Sequence, residues 1–213
     1  RHHANMNPNA MMHGRPMSIE DHQASRMIAA PLRLLDCCLE TDGGAAVVIT
    51  RADRARDLRH PRVFIAGAGI GAGHWNYRSM VKDMDSPVSE STVIAKHLFR
   101  DAGIKHSDID VLFIYDHFTP LVMMAIEDFG FCKRGEGKDF VSNGRLRWPD
   151  GELPMNTSGG NLSEGYMHGM QNVIEAVRQL RGVARCQVKD ARHAFVSAGN
   201  AVPTSAMILR NEL

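Results

Sequence analysis

Ile109-Asp110-Val111-Leu112-Phe113-Ile114-Tyr115-Asp116-His117-Phe118-Thr119-Pro120 is the stretch from which the rest of the chain can be read. Residues 109–115 are apolar except for Asp110 and are flanked by Asp108 and Asp116. That is the pattern of a short strand buried on both faces. Thr119 and Pro120 then open a helix, a hydroxyl cap followed by proline at the first position, and Gly130 closes it. A doubly buried strand needs helices above and below, so strands and helices are expected to alternate around it. Upstream, 62–66 reads as a strand, and 90–102 as a helix with Ile94, Leu98 and Ala102 on one face and Gly103 as its stop. Downstream come a short strand over 153–157 and a helix with Met170, Val173, Ile174, Val177 and Leu180 on one face, ended by Gly182. Two closing strands over 193–197 and 206–209 are joined through Gly199 and Pro203. The fold class is α/β: a layered βαβαβαββ domain with a mixed sheet, its strands mostly parallel and the final pair antiparallel.

The first part of the chain is less regular. Residues 1–17 carry no periodicity. Ser18 begins a helix with Asp21 in its first turn, and Pro31 lies beyond its end. Residues 32–38 suit a strand, Asp42-Gly43-Gly44 a turn, and 45–49 a buried strand. Thr50 caps a short basic helix over 52–58. A new unit begins near His60-Pro61, which divides the chain into 1–58 and 59–213. Residues 131–152 hold Gly135, Gly137, Gly144, Pro149 and Gly151 and read as a long loop.

Composition removes several classes of function. The 213 residues are 44% hydrophobic, enough for one sizeable domain or a domain plus part of another. With 25 basic and 24 acidic residues and no basic run, nothing attracts a nucleic acid. No apolar run reaches the roughly 18 residues of a membrane span. Cys37, Cys38, Cys132 and Cys186 show no CxxC spacing and read as reduced thiols of a cytoplasmic protein. The eleven His residues are scattered without an HExxH pattern, so no metal is expected. The start, Arg1-His2-His3-Ala4-Asn5, has neither an apolar signal core nor a Met, and reads as processed or truncated.

In open α/β sheets, ligands bind beyond the C-terminal ends of the strands. Three segments lie there: Tyr115-Asp116-His117-Phe118, the stretch 156–169, and Ser197-Ala198-Gly199. Burying three polar groups at 115–117 is costly unless they form a network. In 156–169, Gly159, Gly160 and Gly165 let backbone approach a ligand, and a following helix N-terminus can hold an oxyanion. The bland alternatives are a satisfied tyrosine with a capping aspartate, and an ordinary glycine-rich connection. Gly67, Gly69 and Ala72 fit the dinucleotide pattern GxGxxG/A, but 74–78 do not continue as an apolar helix face, so the run 67–73 reads as a glycine-rich turn.

Tyr115-Asp116-His117-Phe118, Gly130-Phe131-Cys132, Gly135-Glu136, residues 154–160 and the Gly165 segment resemble the C-terminal half of sterol-carrier-type and lipid-transfer-protein thiolases. Asn7-Pro8-Asn9-Ala10 and residues 37–48 add to it, and the resemblance is collinear over essentially all of the chain. It implies a thiolase-like layered fold, with 59–213 as the C-terminal domain. Residues 1–58 would be the end of the substrate-binding loop region and the last strand and helix of the N-terminal domain. The departures matter as much. Tyr166, in Gly165-Tyr166-Met167, stands where the family has His in Gly-His-Pro. Tyr115-Asp116-His117-Phe118 stands for His-Asp-Cys-Phe, and Ser197-Ala198-Gly199 for Cys-x-Gly. Thiolysis is hard to run without those thiols.

Tyr166-Met167-His168-Gly169 resembles instead the aldolase branch of the lipid-transfer-protein thiolases. The resemblance implies retro-aldol cleavage of a sterol-side-chain β-hydroxyacyl-CoA, a zinc-ribbon/OB-fold partner protein and a thiolase-type dimer. No cofactor is implied beyond the CoA thioester of the substrate. Retro-aldol cleavage needs a base, an acid and an oxyanion site but no covalent nucleophile. Tyr115 and Tyr166 are the expected proton-transfer pair, with His117, His168 and Asp116 beside them. Asn156, Ser158, Gly159, Gly160 and Gly199 are the expected substrate-binding set. Two other readings remain open: part of an acetyl-CoA acetyltransferase whose nucleophile lies elsewhere, and a half that binds lipid or a partner without chemistry.

Overall fold

The computed structural model describes residues 1–71, 89–199 and 204–212. In chain order its elements are α1 (His2–Met6), α2 (Ile19–Ala24), β1 (Met27–Ala29), β2 (Leu32–Arg33), α3 (Ala52–Ala55), β3 (Phe64–Gly71), α4 (Glu90–Ala102), β4 (Val111–Phe113), α5 (Thr119–Asp128), α6 (Gly137–Phe140), α7 (Gly160–Ser163), α8 (Met170–Leu180), β5 (His193–Ala198) and β6 (Thr204–Arg210).

The main sheet has four strands in the order β3-β6-β5-β4. β4 runs parallel to β5, and Met155 makes a parallel bridge to Leu112. β6 is antiparallel to both its neighbours. The sheet is therefore mixed, but the expected parallel majority holds only at the β4 end. Alternation along β4 sets the layers. Leu112 and Ile114 face the core under α4 and α5, with Ile94, Leu98, Ile126, Phe129 and Phe195. Val111 and Phe113 face α8, with Ala176, Leu180 and Val196. All four residues 111–114 are 0% exposed, which confirms the doubly buried strand. Each such side chain contributes about 1.5–3 kcal/mol of apolar burial.

α4 forms as its sequence dictates: the Ser89 hydroxyl accepts the Thr92 N–H at 3.2 Å, and Gly103 leaves in the left-handed region at φ 68°. The glycine run beneath it is not a turn. Gly67, Gly69 and Gly71 alternate within β3 and turn a bare strip to α4. A Cβ at Gly67 would lie 2.9 Å from the Leu98 carbonyl oxygen, and one at Gly69 3.0 Å from Ile94 Cγ2. The strip lets helix and sheet approach closely, and residues 67–71 form strand rather than a dinucleotide loop; Ala72 and Gly73 lie outside the described residues.

Other expectations change. Phe118, not Thr119, precedes the first turn of α5; Thr119 lies inside the helix and donates its hydroxyl to the buried carboxylate of Asp36 at 2.5 Å. The most buried residues of α8 include Gln171, Asn172, Glu175 and Gln179, while Met170, Val173, Ile174 and Val177 are only half-buried. Polar partners in the loop before the helix turn it that way. The expected strand over 32–38 is the two-residue β2 followed by a tight turn, Leu34–Asp36. Residues 45–49 form no strand: Val48 is 94% exposed and no described strand lies beside it. α3 ends at Ala55 and begins after Arg51, without a Thr50 cap. The Ser18–Asp21 capping box is present as expected. The long loop includes α6, and all four cysteines are free thiols.

Candidate active site

Beyond Phe113 the chain leaves the sheet but stays tied to it. The Ile114 N–H donates to Asn156 Oδ1 at 3.0 Å, and Asn156 Nδ2 donates to the Ile114 carbonyl at 2.9 Å. One side chain thus replaces a strand neighbour, and Asn156 holds φ 48° to do it. The next amide, of Tyr115, donates to Ser197 Oγ at 3.1 Å, at the end of β5. Gly169 lies under the Tyr115 ring, where a Cβ would come within 2.8 Å of Cδ2. Fixed on these sides, the Tyr115 hydroxyl meets the Tyr166 hydroxyl at 2.8 Å. Two phenols 51 positions apart are therefore brought into one hydrogen bond.

Tyr115 is buried and Tyr166 half-buried. Burial first, then the hydrogen bond to Tyr166, pushes the Tyr115 pKa well above the ordinary phenol value. Tyr115 therefore keeps its proton at neutral pH. The His117 ring stands 4.8 Å from that of Tyr115. Burial lowers its pKa and its Nδ1 is buried without a partner, so it offers a neutral imidazole rather than a positive charge. His168 is exposed, and its ring stands 4.8 Å from that of Tyr166.

Asp116 turns away from the phenols. Its carboxylate accepts the Asn161 N–H at 2.8 Å and the Leu162 N–H at 3.3 Å, pinning the start of α7. Gly160 is required there, because a Cβ would lie 2.3 Å from Asp116 Oδ2. Burial raises the Asp116 pKa to about 7 against the pull of those amides. The expected substrate-binding side chains are likewise engaged by the protein. Asn156 is bound to Ile114, and Ser158 donates to Glu164 at 2.5 Å while its carbonyl accepts from Asn7. The Gly159 N–H donates to the Asn156 carbonyl at 2.9 Å. Gly199 ends β5 at φ 74°, and its carbonyl accepts the Thr204 hydroxyl.

Beneath the loop, Thr157 donates to Glu175, Gln179 donates to Thr157, and Gln171 donates to Asn161. Burial and the nearby Glu164 raise the Glu175 pKa to about 7. Sequence reasoning missed this polar underlayer, because apolar periodicity is blind to amides. It also missed Thr41, whose Oγ1 accepts the Tyr166 N–H at 3.0 Å. An open groove of about 340 Å³ lies over Val173, Val196, Ser197, Ala198 and Met207; it meets the phenol site only at Ser197. Among the described residues, no three His, Cys, Asp or Glu side chains gather as a metal site, and no helix is long and apolar enough to cross a membrane.

Comparison with known proteins agrees with this architecture. Residues 71–211 match the family model described as thiolase C-terminal domain-like. The chain is 46% identical over 211 residues to the steroid side-chain-cleaving aldolase of Thermomonospora curvata, covering 98% of this chain and 54% of that protein. It is also 46% identical over 213 residues to the 17-hydroxy-3-oxo-4-pregnene-20-carboxyl-CoA lyase of Mycobacterium tuberculosis, with the same coverage, 98% and 54%. A solved structure described as Ltp2-ChsH2(DUF35) aldolase superposes with a TM-score of 0.91 at 46% identity, covering 98% of this chain and 55% of that one. The chain thus spans about half the length of the relatives it matches.

Proposed function

The chain belongs to the thiolase C-terminal domain-like family, and from that premise we propose that it carries the proton-transfer centre of an acyl-CoA carbon–carbon lyase. The substrate is a β-hydroxyacyl-CoA bearing a sterol side chain, cleaved by retro-aldol chemistry. The observation that carries this reading is the Tyr115–Tyr166 hydroxyl pair at 2.8 Å, at positions where the resembled thiolases keep other groups.

Retro-aldol cleavage removes the proton from the β-hydroxyl. The electron pair of the breaking carbon–carbon bond passes to the α-carbon as the thioester enolate, the hydroxyl carbon becomes a ketone, and a proton then returns to the α-carbon. Two hydrogen-bonded phenols supply both ends of this transfer without a covalent intermediate. Tyr115, held protonated, is the acid. Tyr166, half-buried beside His168, takes the hydroxyl proton as the phenolate while Tyr115 gives its own proton to the α-carbon, and the 2.8 Å hydrogen bond then returns the proton from Tyr166 to Tyr115.

An acyltransferase would need a ready thiolate. Burial raises the thiol pKa of Cys38, Cys132 and Cys186, so these three do not supply it, and an acyltransferase would have to take its nucleophile from outside this stretch of chain. The name of the matching aldolase structure couples two proteins, which supports a partner protein for this chain too; its zinc-ribbon/OB-fold character rests on the resemblance alone. Free thiols fit a cytoplasmic setting.

The test is product analysis in the intact protein, with ketone release from a β-hydroxyacyl-CoA set against CoA-dependent thiolysis of a 3-ketoacyl-CoA. Tyr115→Phe and Tyr166→Phe are each expected to lower cleavage roughly 10²–10⁴-fold while remaining folded. Full cleavage by both variants, or thiolysis as the faster reaction, removes the proposal.

A further inference from the structure

The phenol pair is built from two loops that share no strand, so something must set the distance between them. Residues 37–41 run between the two. The Cys38 N–H donates to the His117 carbonyl at 2.9 Å, and Cys37 makes an antiparallel bridge to Phe118. The next residue turns to the other loop, where the Leu39 N–H donates to the Asn161 carbonyl at 3.1 Å. Two residues on, Thr41 Oγ1 accepts the backbone N–H of Tyr166 itself at 3.0 Å. The Thr41 hydroxyl donates in turn to Met11 Sδ at 3.3 Å, and the Met11 N–H donates to the Glu164 carbonyl at 3.0 Å. This closes a ring around the turn 164–166, with the Thr41 oxygen as donor on one side and acceptor on the other.

We infer that Thr41 is a positioning residue for the phenol pair, and that its side-chain oxygen fixes where the Tyr166 ring leaves the backbone. Thr41 is only partly exposed and touches neither the Tyr115 nor the Tyr166 hydroxyl. Its effect runs through the Tyr166 amide. The inference deepens the lyase reading, since it assigns a role within the same site, and rests on that reading for its kinetic arm alone. A hydroxyl is required because the amide needs an acceptor; an isosteric Val would leave that N–H unpaired. Small displacements of a reacting group carry large kinetic penalties.

The experiment compares Thr41→Val with Thr41→Ser in the intact protein, with two readouts. Thr41→Val is expected to lower kcat roughly ten- to a hundredfold with KM nearly unchanged, and Thr41→Ser to restore it. The second readout is the pH titration of the ultraviolet tyrosinate band, taken as the difference between each variant and the same variant carrying Tyr115→Phe. Thr41→Val is expected to bring the Tyr115 ionisation down towards the ordinary phenol value as the Tyr166 partner moves away, and Thr41→Ser to return it. If Thr41→Val does not fold, Thr41→Ala takes its place. Unchanged kcat together with an unchanged titration overturns the inference, as does a Ser variant no better than Val. If both Tyr-to-Phe variants cleave substrate normally, the lyase reading falls, and the titration still decides the role of Thr41.

Discussion

The glycine strip under α4 and the loop ahead of α8 are held by opposite means. On the α4 side, Gly67, Gly69 and Gly71 form a bare strip, and Ile94 and Leu98 lie against it. On the α8 side the loop 156–169 is held by Asn156, Ser158, Asp116 and Glu175, each buried and each hydrogen-bonded. The first interface works by shape and fails when volume is added. The second works by pairing and fails when a partner is removed or a charge is misplaced. The phenols stand on the second, where hydrogen bonds aim the backbone that carries them.

The sharpest way to break this contrast is Gly160→Ala, which adds volume to the paired side. Its Cβ meets the Asp116 carboxylate, and φ 62° strains any other residue. We expect a loss of about 3 kcal/mol in denaturant unfolding, from strain and a displaced buried carboxylate together. Cleavage should fall with it. Gly67→Val tests the packed side. The new side chain meets the backbone oxygen of Leu98 at the start, and the cost should be about 2 kcal/mol. The kcat of the folded fraction should stay within roughly twofold, because no phenol contact is touched. Equal kinetic damage from both variants would erase the distinction between the two regions.

Glu175→Gln gives the smallest effect and the opposite sign. The folded Glu175 pKa is raised from 4.5 to about 7, so the folded state binds its proton more tightly than the unfolded chain. Its stabilising contribution is full below the unfolded value and is lost as pH rises through about 7. Gln keeps an acceptor for Thr157 and carries no charge. The variant should be more stable than the parent above that pH by of order 1–2 kcal/mol. The pH slope of stability between the two pKa values should also flatten. An unchanged slope would mean that Glu175 is not the group responsible.

Much of the α4 side could be read in the sequence. Ile94, Leu98, Ala102 and Gly103 carry helix and stop signals within 10 residues, and the structure follows them. The strip beneath was misread because glycine at every second position of a strand looks, locally, like glycine in a turn; only Ile94 and Leu98 across the interface tell the two apart. Tyr115 and Tyr166 could be singled out by resemblance and by their place at strand ends. Their 2.8 Å contact depends on pairings of Tyr115 with Ser197 and Tyr166 with Thr41, 82 and 125 positions apart, and no local pattern reports those. Residues 45–49 show the reverse failure. Their β-branched composition favours a strand, but a strand needs a neighbour and none is described beside them.

Asp116 follows Tyr115 directly, and its carboxylate grips Asn161 and Leu162 just ahead of Tyr166. One acidic side chain therefore couples two stretches of chain that would otherwise drift independently over generations. A bulkier residue at 160 would need a shorter one at 116 and would still carry the strain of φ 62°, so the pair is expected to resist change. The phenol site would then be inherited as a single indivisible unit.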